Sequence, residues 1–306
     1  MKNATVVKAH VCILLACVIW GLMAPIGKDA MNNGVSGLAM VAFRVVGAAV
    51  LFWITSLFTK SQKVARRDLW MIALAGLLGL VCNQCCYTVG LSITSPINAS
   101  IVTTSLPIIT MLLAALFLHE PVTSKKVIGI FCGACGALIL ILGSARAASA
   151  KVGDLRGDML CLFAQFSFGC YLSIFKNLIT RYDIITFEKW MFLFASFIII
   201  PLSFSHVQAI EWSEITAKTW AETAFVVVGS TYFAYILMMA GQKILRPTVI
   251  SMYNYVQPIV ATVVSVIAGL GVFGWGQALA VMLVFVGVYL VTKSKSRNDL
   301  MKEKTK

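Results

Sequence analysis

The sequence predicts an all-α integral membrane protein with ten transmembrane helices, arranged as two inverted five-helix repeats. Three observations predict this fold. Apolar blocks recur along the whole chain, basic residues concentrate in alternate connections between the blocks, and the two halves of the chain match each other at a nearly constant offset.

The apolar blocks are long enough to cross the ~30 Å hydrocarbon core of a bilayer as helices. Hydrophobic residues make up 59% of the chain and charged residues only 12%, whereas about a quarter of a soluble domain is charged. The connections between the blocks are too short to form a soluble domain. The predicted spans are 9–28, 36–58, 69–91, 96–118, 124–143, 156–176, 185–205, 220–242, 248–270 and 275–292.

The basic residues predict the orientation of these spans. With the N-terminus in the cytoplasm, the cytoplasmic segments hold 19 of the 25 Lys and Arg residues, the opposite side holds five, and Arg44 lies inside the second span. This bias predicts both termini in the cytoplasm of a cell membrane, and a bacterial inner membrane fits. It explains the net charge of +13 by contact with anionic lipid headgroups rather than with nucleic acid. The first span lacks a following cleavage site, so it is predicted to remain as a helix.

An internal repeat divides the chain into halves 1–148 and 149–306. An offset of 148 matches Trp20 with Phe168. An offset of 151 matches Gly90 with Gly241, Pro96 with Pro247, Ser100 with Ser251, Pro107 with Pro258 and Gly136 with Gly287. Because each half holds an odd number of spans, the second half enters the membrane from the opposite side. Inverted repeats are a common construction of secondary transporters, which bind their substrates between the halves near the midplane.

Prolines within the spans mark candidate hinges. Pro107 and Pro258 occupy equivalent positions, and the first span contains Pro25. Proline removes a backbone donor and frees the carbonyl four residues earlier, here that of Thr103 and that of Asn254. In lipid such carbonyls need partners or must face a cavity. The alternative is that the kinks only shape the packing.

Polar and aromatic side chains within the spans are the candidates for substrate binding, because polar groups at membrane depth tend to face the bundle interior. Hydrogen bonding between helices is the alternative for each single residue. The candidates are Trp20, Arg44, Asn83, Tyr87, Ser100, Thr103, Gln165, Tyr171, Tyr235, Ser251 and Asn254. A neutral, aromatic cavity of this kind suits a zwitterionic or neutral metabolite better than a polyanion.

Arg44 is the one basic residue well inside a span, and it has three available roles. It can bind a substrate carboxylate, cap a neighbouring helix, or extend to the outer interface, and structural anchoring is favoured. The acidic residues, including Asp29, Glu120 and Glu188, lie at helix ends. Since proton relays use acids or histidines at depth, the sequence favours a facilitator or an exchanger over a dedicated proton antiporter.

The sequence also resembles a known family. Phe43-Arg44, followed by small residues at 47–49, resembles the second helix of EamA-type proteins, and residues 98–121 resemble their fourth helix and the acidic turn after it. The resemblance covers nearly the whole chain and implies the drug/metabolite transporter superfamily, whose members move small metabolites, often amino acids and frequently outward. One departure is Gly271, which stands where the counterpart of Glu120 would be.

The predicted function is therefore secondary transport of a small organic solute, as an exporter or facilitator, by alternating access. Two other functions remain as alternatives: a polytopic membrane scaffold and a membrane-embedded lipid-modifying enzyme. No nucleotide-binding loop or known hydrolase motif occurs, and no enzyme activity, cofactor or metal site is predicted. The cysteines, such as Cys82, are interpreted as packing residues. The spacing of Gly129 and Gly133 allows close helix packing, either within the monomer or in a homodimer.

Overall fold

The computed structural model describes residues 2–60, 62–94, 96–147, 154–267 and 274–295, and every regular element in these ranges is helical. We number the helices α1 to α10 in chain order. The first half contains α1 (Lys2–Asn32), α2 (Gly37–Leu57), α3 (Arg66–Gly76, Leu77–Cys82 and Asn83–Ile93), α4 (Pro96–Thr103 and Leu106–Leu118) and α5 (Ser124–Ala147). The second half contains α6 (Leu155–Ile174), α7 (Ile184–Gln208), α8 (Ala217–Ala224, Phe225–Phe233 and Ala234–Gln242), α9 (Pro247–Met252, Tyr253–Tyr255 and Val256–Ile267) and α10 (Trp275–Thr292). A short helix, Lys176–Arg181, follows α6.

Within the described ranges, nine helices are long and apolar enough to cross a membrane. The remaining predicted span is 248–270, which corresponds to α9. Its longest uninterrupted part is the 12-residue segment Val256–Ile267, and residues 268–270 lie outside the described ranges. The all-helical prediction is therefore confirmed, with nine candidate spans, while the tenth span stays a prediction.

The outer surface of the bundle is apolar. Leu116, Phe131 and Phe197 are each about two-thirds exposed, at 67%, 70% and 66%. A soluble protein rarely exposes contiguous apolar surface of this kind, because its contact with water costs free energy. Lipid tails can cover it without that cost, so this surface is suited to a bilayer.

The helices pack in a pattern that is preserved when the first five are exchanged for the last five. α1 packs against the C-terminal parts of α8 and α9, and α6 packs against the C-terminal parts of α3 and α4. Two further pairs consist of equivalent helices, α2 with α7 and α5 with α10.

α3 and α8 each contain a π-helical segment at the same place in the pattern. These segments are Leu77–Cys82 and Phe225–Phe233, and the second includes the positions 151 residues after the first. A π-helical segment inserts a residue into the α-helix and loosens its backbone hydrogen bonding. Side chains from α6 and α1 bond to carbonyls there, since Ser167 Oγ donates to Leu78 O (2.7 Å) and Trp20 Nε1 to Ser230 O (2.9 Å).

α4 and α9 are both interrupted just before their prolines. In α4 the turn at Thr104 and Ser105 precedes Pro107, and in α9 a 3₁₀ turn at Tyr253–Tyr255 precedes Pro258. Tyr255 Oη donates to Thr104 O at 3.0 Å, which joins the two interruptions. The bridged carbonyl thus lies one residue beyond the predicted Thr103. α1 continues as a helix through Pro25, which is exposed, so a hinge there stays a prediction.

We expect Tyr255→Phe to lower the free energy of unfolding in detergent by about 1 kcal/mol, because Thr104 O loses its donor in a partly buried region. The measurement is denaturant unfolding followed by tryptophan fluorescence. Tyr289→Phe is the matched control, since Tyr289 is 61% exposed. Equal stability of the two variants would show that the bridge between the interruptions contributes nothing.

Glycines allow α5 and α10 to pack with their backbones in contact. A Cβ atom on Gly287 would lie 2.5 Å from Gly129 O and 2.8 Å from Gly133 N, and one on Gly136 would lie 2.6 Å from Ala280 O. The small-residue stripe of α5 is therefore occupied by α10 of the same chain. The structure selects packing within the monomer for this stripe, one of the two alternatives that the sequence left open.

We expect Gly287→Ala to lower the free energy of unfolding by about 1–3 kcal/mol, because the added methyl group meets backbone atoms that cannot move aside without separating the helices. Gly276→Ala in the same helix is the control, since no described atom lies within 4 Å of a Cβ at that position. Unfolding in detergent, followed by tryptophan fluorescence, compares the two. A Gly287→Ala variant as stable as Gly276→Ala would contradict close backbone packing of these helices.

Candidate functional site

Arg44 lies in the interior of the bundle with neutral partners. Its side chain is 6% exposed. Nε donates to Thr231 Oγ1 at 2.9 Å, and Nη1 donates to Gln84 Oε1 at 2.9 Å and approaches Met23 Sδ at 3.9 Å. A buried cation normally has an anionic partner, because desolvating an unpaired charge is costly. Among the described residues, no carboxylate forms an ion pair with Arg44.

An aromatic group adjoins this cation. Gln84 Nε2 donates to Tyr235 Oη at 3.3 Å. The Tyr235 ring meets Trp20 edge to face with centroids 5.8 Å apart, and it meets Phe192 in the same way at 5.1 Å. Trp20 in turn contacts Phe168 at 6.5 Å. The polar edge and the aromatic walls together form what we call the central site, defined by Arg44, Gln84, Thr231, Tyr235, Trp20 and Phe168.

Three contacts join residues that occupy equivalent positions in the two halves. Gln84 bonds Tyr235 and Thr104 bonds Tyr255, in each case across 151 residues, and Trp20 contacts Phe168 across 148 residues. These contacts join α3 to α8, α4 to α9 and α1 to α6, so each links two helices at the same place in the repeated pattern.

Other predicted residues lie around the central site on α3 and α6. Tyr171 is 1% exposed, stacks on Phe168 at 5.7 Å and donates to Gln242 Oε1 at 3.2 Å. Asn83 Nδ2 donates to Ala164 O at 2.9 Å and links α3 to α6. Gln165 is buried on α6, at 7% exposure. Asn83 therefore forms an interhelical hydrogen bond, which was the alternative to substrate binding. Tyr171 belongs to the same aromatic group as Trp20.

The remaining predicted residues lie apart from the central site or make local bonds. Ser251 is buried and its Oγ donates to Thr248 O, within the same helix. Asn254 Oδ1 accepts from Gln257 Nε2 at 2.8 Å. Tyr87 is partly buried on α3.

Two predicted residues of α4 complete the set. Thr103 is the last residue of the first part of α4. The side chain of Ser100 lies outside the described residues. Neither residue is joined to Arg44 by a described contact, so both stay predictions as substrate ligands.

The set of predicted site residues omitted Gln84 and Thr231. Gln84 lies beside Asn83, which regular α-helical spacing would place on the cavity face together with Tyr87. Asn83 instead bonds Ala164 O of α6, and Gln84 on the adjacent face bonds Arg44. One signal was available, since Gln84 and Tyr235 are polar residues separated by the repeat offset of 151.

Comparison with known proteins decides the family. The model of the EamA-like transporter family matches residues 7–142 and again residues 155–293. The chain belongs to the EamA-like transporter family. It is therefore a multi-pass membrane transporter of the drug/metabolite transporter superfamily, and the resemblance seen in the sequence is confirmed.

Relatives of this EamA-like chain occur in bacteria and plants. The uncharacterized transporter YetK of Bacillus subtilis is 21% identical over 95% of this chain and 88% of its own length. The WAT1-related protein At5g13670 of Arabidopsis thaliana is 21% identical over 95% and 85%. A solved crystal structure superimposes with a TM-score of 0.77 at 17% identity, covering 97% of this chain and 98% of the other, which supports the fold alone.

Basic residues bind helix C-termini at the end of the EamA-like bundle that contains residues 119–126. Arg246 Nη2 donates to Ser294 O (3.0 Å) and Val291 O (3.3 Å) after α10, and Lys176 Nζ donates to Leu245 O (2.8 Å) after α8. Cations stabilise the free carbonyls of a helix C-terminus. Several of the basic residues that predicted the orientation therefore also have a structural role.

Buried polar contacts at the same end join the two halves. Glu120 accepts from Lys126 Nζ at 2.9 Å and from Thr248 Oγ1 at 3.2 Å, and Lys126 is fully buried. Position 271, the counterpart of Glu120, lies outside the described residues. Partial burial and a hydrogen bond to Asp68 raise the pKa of Tyr182 in the connection before α7, so that Tyr182 keeps its proton and donates to Asp68 Oδ2 at 2.8 Å.

The chemistry available to the central site is binding. A guanidinium carries five N–H donors and recognises carboxylates in particular. The described bonds of Arg44 use Nε and Nη1, so Nη2 remains for another acceptor within the part of the chain described. Aromatic faces can cover the apolar part or a cationic group of a small solute. Among the described residues, no group of three or more His, Cys, Asp or Glu is placed to hold a metal ion.

Proposed function

We propose that this transporter carries small organic solutes with a carboxylate group, such as amino acids, by alternating access between two inverted repeats. The observation that supports the proposal most strongly is the position of the central site. A buried guanidinium with neutral partners lies beside Tyr235, one of the residues that contact their own equivalents in the other half.

In a protein with inverted repeats, a site between the two halves can open to either side of the membrane. Two related halves that pack about a two-fold axis in the membrane plane can rock against each other and open the midplane to either side. The symmetric packing of α1 and α6, the paired π-helical segments and the interruptions at Pro107 and Pro258 all support such a relation. The domain boundary near residue 148 and the assignment of the prolines as hinges belong to this proposal.

The orientation is proposed from the charge distribution. Both termini lie in the cytoplasm, and the buried contacts of Glu120, Lys176 and Arg246 lie at the cytoplasmic end. A cell membrane with anionic headgroups, such as a bacterial inner membrane, fits the 19 basic residues at that end.

Reconstitution into phospholipid vesicles with a panel of labelled solutes tests the proposed function. The panel contains neutral amino acids, the corresponding amino-acid amides, which lack the carboxylate, and phosphorylated sugars. We expect saturable flux of one or more amino acids that unlabelled compound competes, and much weaker flux of the matching amide. Flux restricted to phosphorylated sugars would overturn the proposed substrate class, and the absence of flux for every compound would favour a scaffold.

A further inference from the structure

Glu188 is a buried acid in a transporter interior. It lies on the second turn of α7 and is 0% exposed, and neither carboxyl oxygen has a hydrogen-bond partner among the described residues. An ionised carboxylate in such surroundings lacks both water and a counter-ion, and its desolvation is costly. Acids at helix ends were predicted to be unsuited to proton transfer, but Glu188 lies near the start of α7 and is fully buried.

The surroundings of Glu188 connect it to the central site. It lies one helical turn before Phe192 on the same face of α7, and the Phe192 ring meets the Tyr235 ring of α8 edge to face, with centroids 5.1 Å apart. Tyr235 bonds Gln84, the partner of Arg44, while Tyr171 bonds Gln242 toward the end of α8. Glu188 therefore lies on the face of α7 that contacts the central site through Phe192.

The cationic groups near α7 contact other residues than Glu188 or are exposed. The neighbouring Lys189 places its Nζ over the Trp53 ring, 4.9 Å from the centroid. On α2, which packs along α7, Arg44 bonds Thr231 and Gln84. On α3, Arg66 and Arg67 are exposed. None of these cations is a described ion-pair partner of Glu188.

The other titratable groups on elements near Glu188 also have partners. On α3, Asp68 accepts from Tyr182. After α6, Lys176 donates to the carbonyls of Gln242 and Leu245. On α8, Tyr232 bonds Thr55, and Lys243, which follows the helix, donates to Tyr182 O. Gln242 Nε2 is, like the carboxyl oxygens of Glu188, a buried polar atom without a described partner, and ordered water commonly bonds such groups.

We propose that Glu188 is the proton-binding site that couples solute flux to the pH gradient. When the interior closes around a bound solute whose carboxylate neutralises Arg44, the dry carboxyl group of Glu188 holds a proton. When alternating access admits water from one side, hydration stabilises the carboxylate and the proton leaves to that side. When the interior closes without solute, the charge of Arg44 is no longer neutralised and favours the ionised carboxylate, so one proton crosses with each solute and none returns with the empty transporter. This inference rests on the proposed transport function.

The test uses the full-length protein in vesicles with the membrane potential clamped by potassium and valinomycin. The solute is the labelled amino acid with the highest flux in the panel, and a trapped pH dye reports proton movement. With one proton per solute, a gradient of one pH unit changes the steady-state solute ratio up to about tenfold. We expect the wild type to respond in this way, and Glu188→Gln to lose the response while it keeps exchange of labelled for unlabelled solute.

Two variants control for folding and for charge. Glu188→Asp keeps a titratable group and should retain a pH-gradient response, and Glu214→Gln removes an exposed acid and should behave as wild type. Wild-type flux that ignores the pH gradient and moves no protons would overturn the role of Glu188 and leave the transport proposal intact. An unchanged response in Glu188→Gln would overturn it as well. Absence of wild-type flux for every solute would overturn both proposals.

Discussion

Arg44→Ala is expected to raise the Km for a carboxylate-bearing substrate by about 10- to 100-fold, since a hydrogen bond to a charged group contributes about 1.5–3 kcal/mol. The guanidinium is the one described cation in the central site, and its present partners, Thr231 and Gln84, are neutral. A substrate carboxylate would supply the missing counter-charge. Initial rates in vesicles over a range of substrate concentrations measure the change.

A comparison of substrates separates binding from structural anchoring. Wild-type protein should prefer an amino acid over its amide, and Arg44→Ala should lose that preference, because the group that reads the carboxylate is gone. Arg44→Lys should keep part of it, since lysine keeps the charge but not the planar fork of donors. If Arg44 only anchors helices, Arg44→Ala will transport both compounds more slowly and keep the preference.

Arg181→Ala is the matched control, because Arg181 is 62% exposed and forms a surface ion pair with Asp68. It should leave both the Km and the preference unchanged. Unfolding in detergent establishes whether each variant is folded. A well-folded Arg44→Ala protein with wild-type kinetics would remove Arg44 from the substrate site.

Glu120→Gln is expected to lower the free energy of unfolding by about 3–5 kcal/mol, the usual cost of breaking a buried ion pair from one side. The carboxylate accepts from Lys126 at 2.9 Å, and Lys126 is 0% exposed. Without it, a buried ammonium loses its counter-charge. Denaturant unfolding in detergent, followed by the fluorescence of the seven tryptophans, measures the change.

The double variant Glu120→Gln with Lys126→Met tests the cause. It removes both charges, so it should recover most of the stability that Glu120→Gln loses. Glu214→Gln, at an exposed position, should have little effect. If the double variant is no more stable than Glu120→Gln alone, the loss comes from the contact with Thr248 or from packing rather than from the unpaired lysine.

The duplication of the chain was readable from its residues because it depends on matches at a constant separation. Pro107 and Pro258 predicted interruptions at equivalent places, and both helices break just before their proline. The same offset relates Gln84 to Tyr235 and Thr104 to Tyr255. Their direct contact could not be predicted, because the distance from a residue to its equivalent depends on how the halves dock.

The helical membrane class, nine of the spans and the family could be predicted from the amino-acid sequence, because hydrophobic length and repeated motifs are properties of the chain order. Which polar side chains meet depends on how the helices pack. Gln84 contacts Arg44 where Asn83 and Tyr87 were expected, because helical spacing gives which residues share a face but not which face meets α2. Packing of α7 against three other helices buries Glu188 near a helix end, where local sequence predicts exposure. Burial and neighbours are set by the arrangement of several helices, which no local pattern encodes.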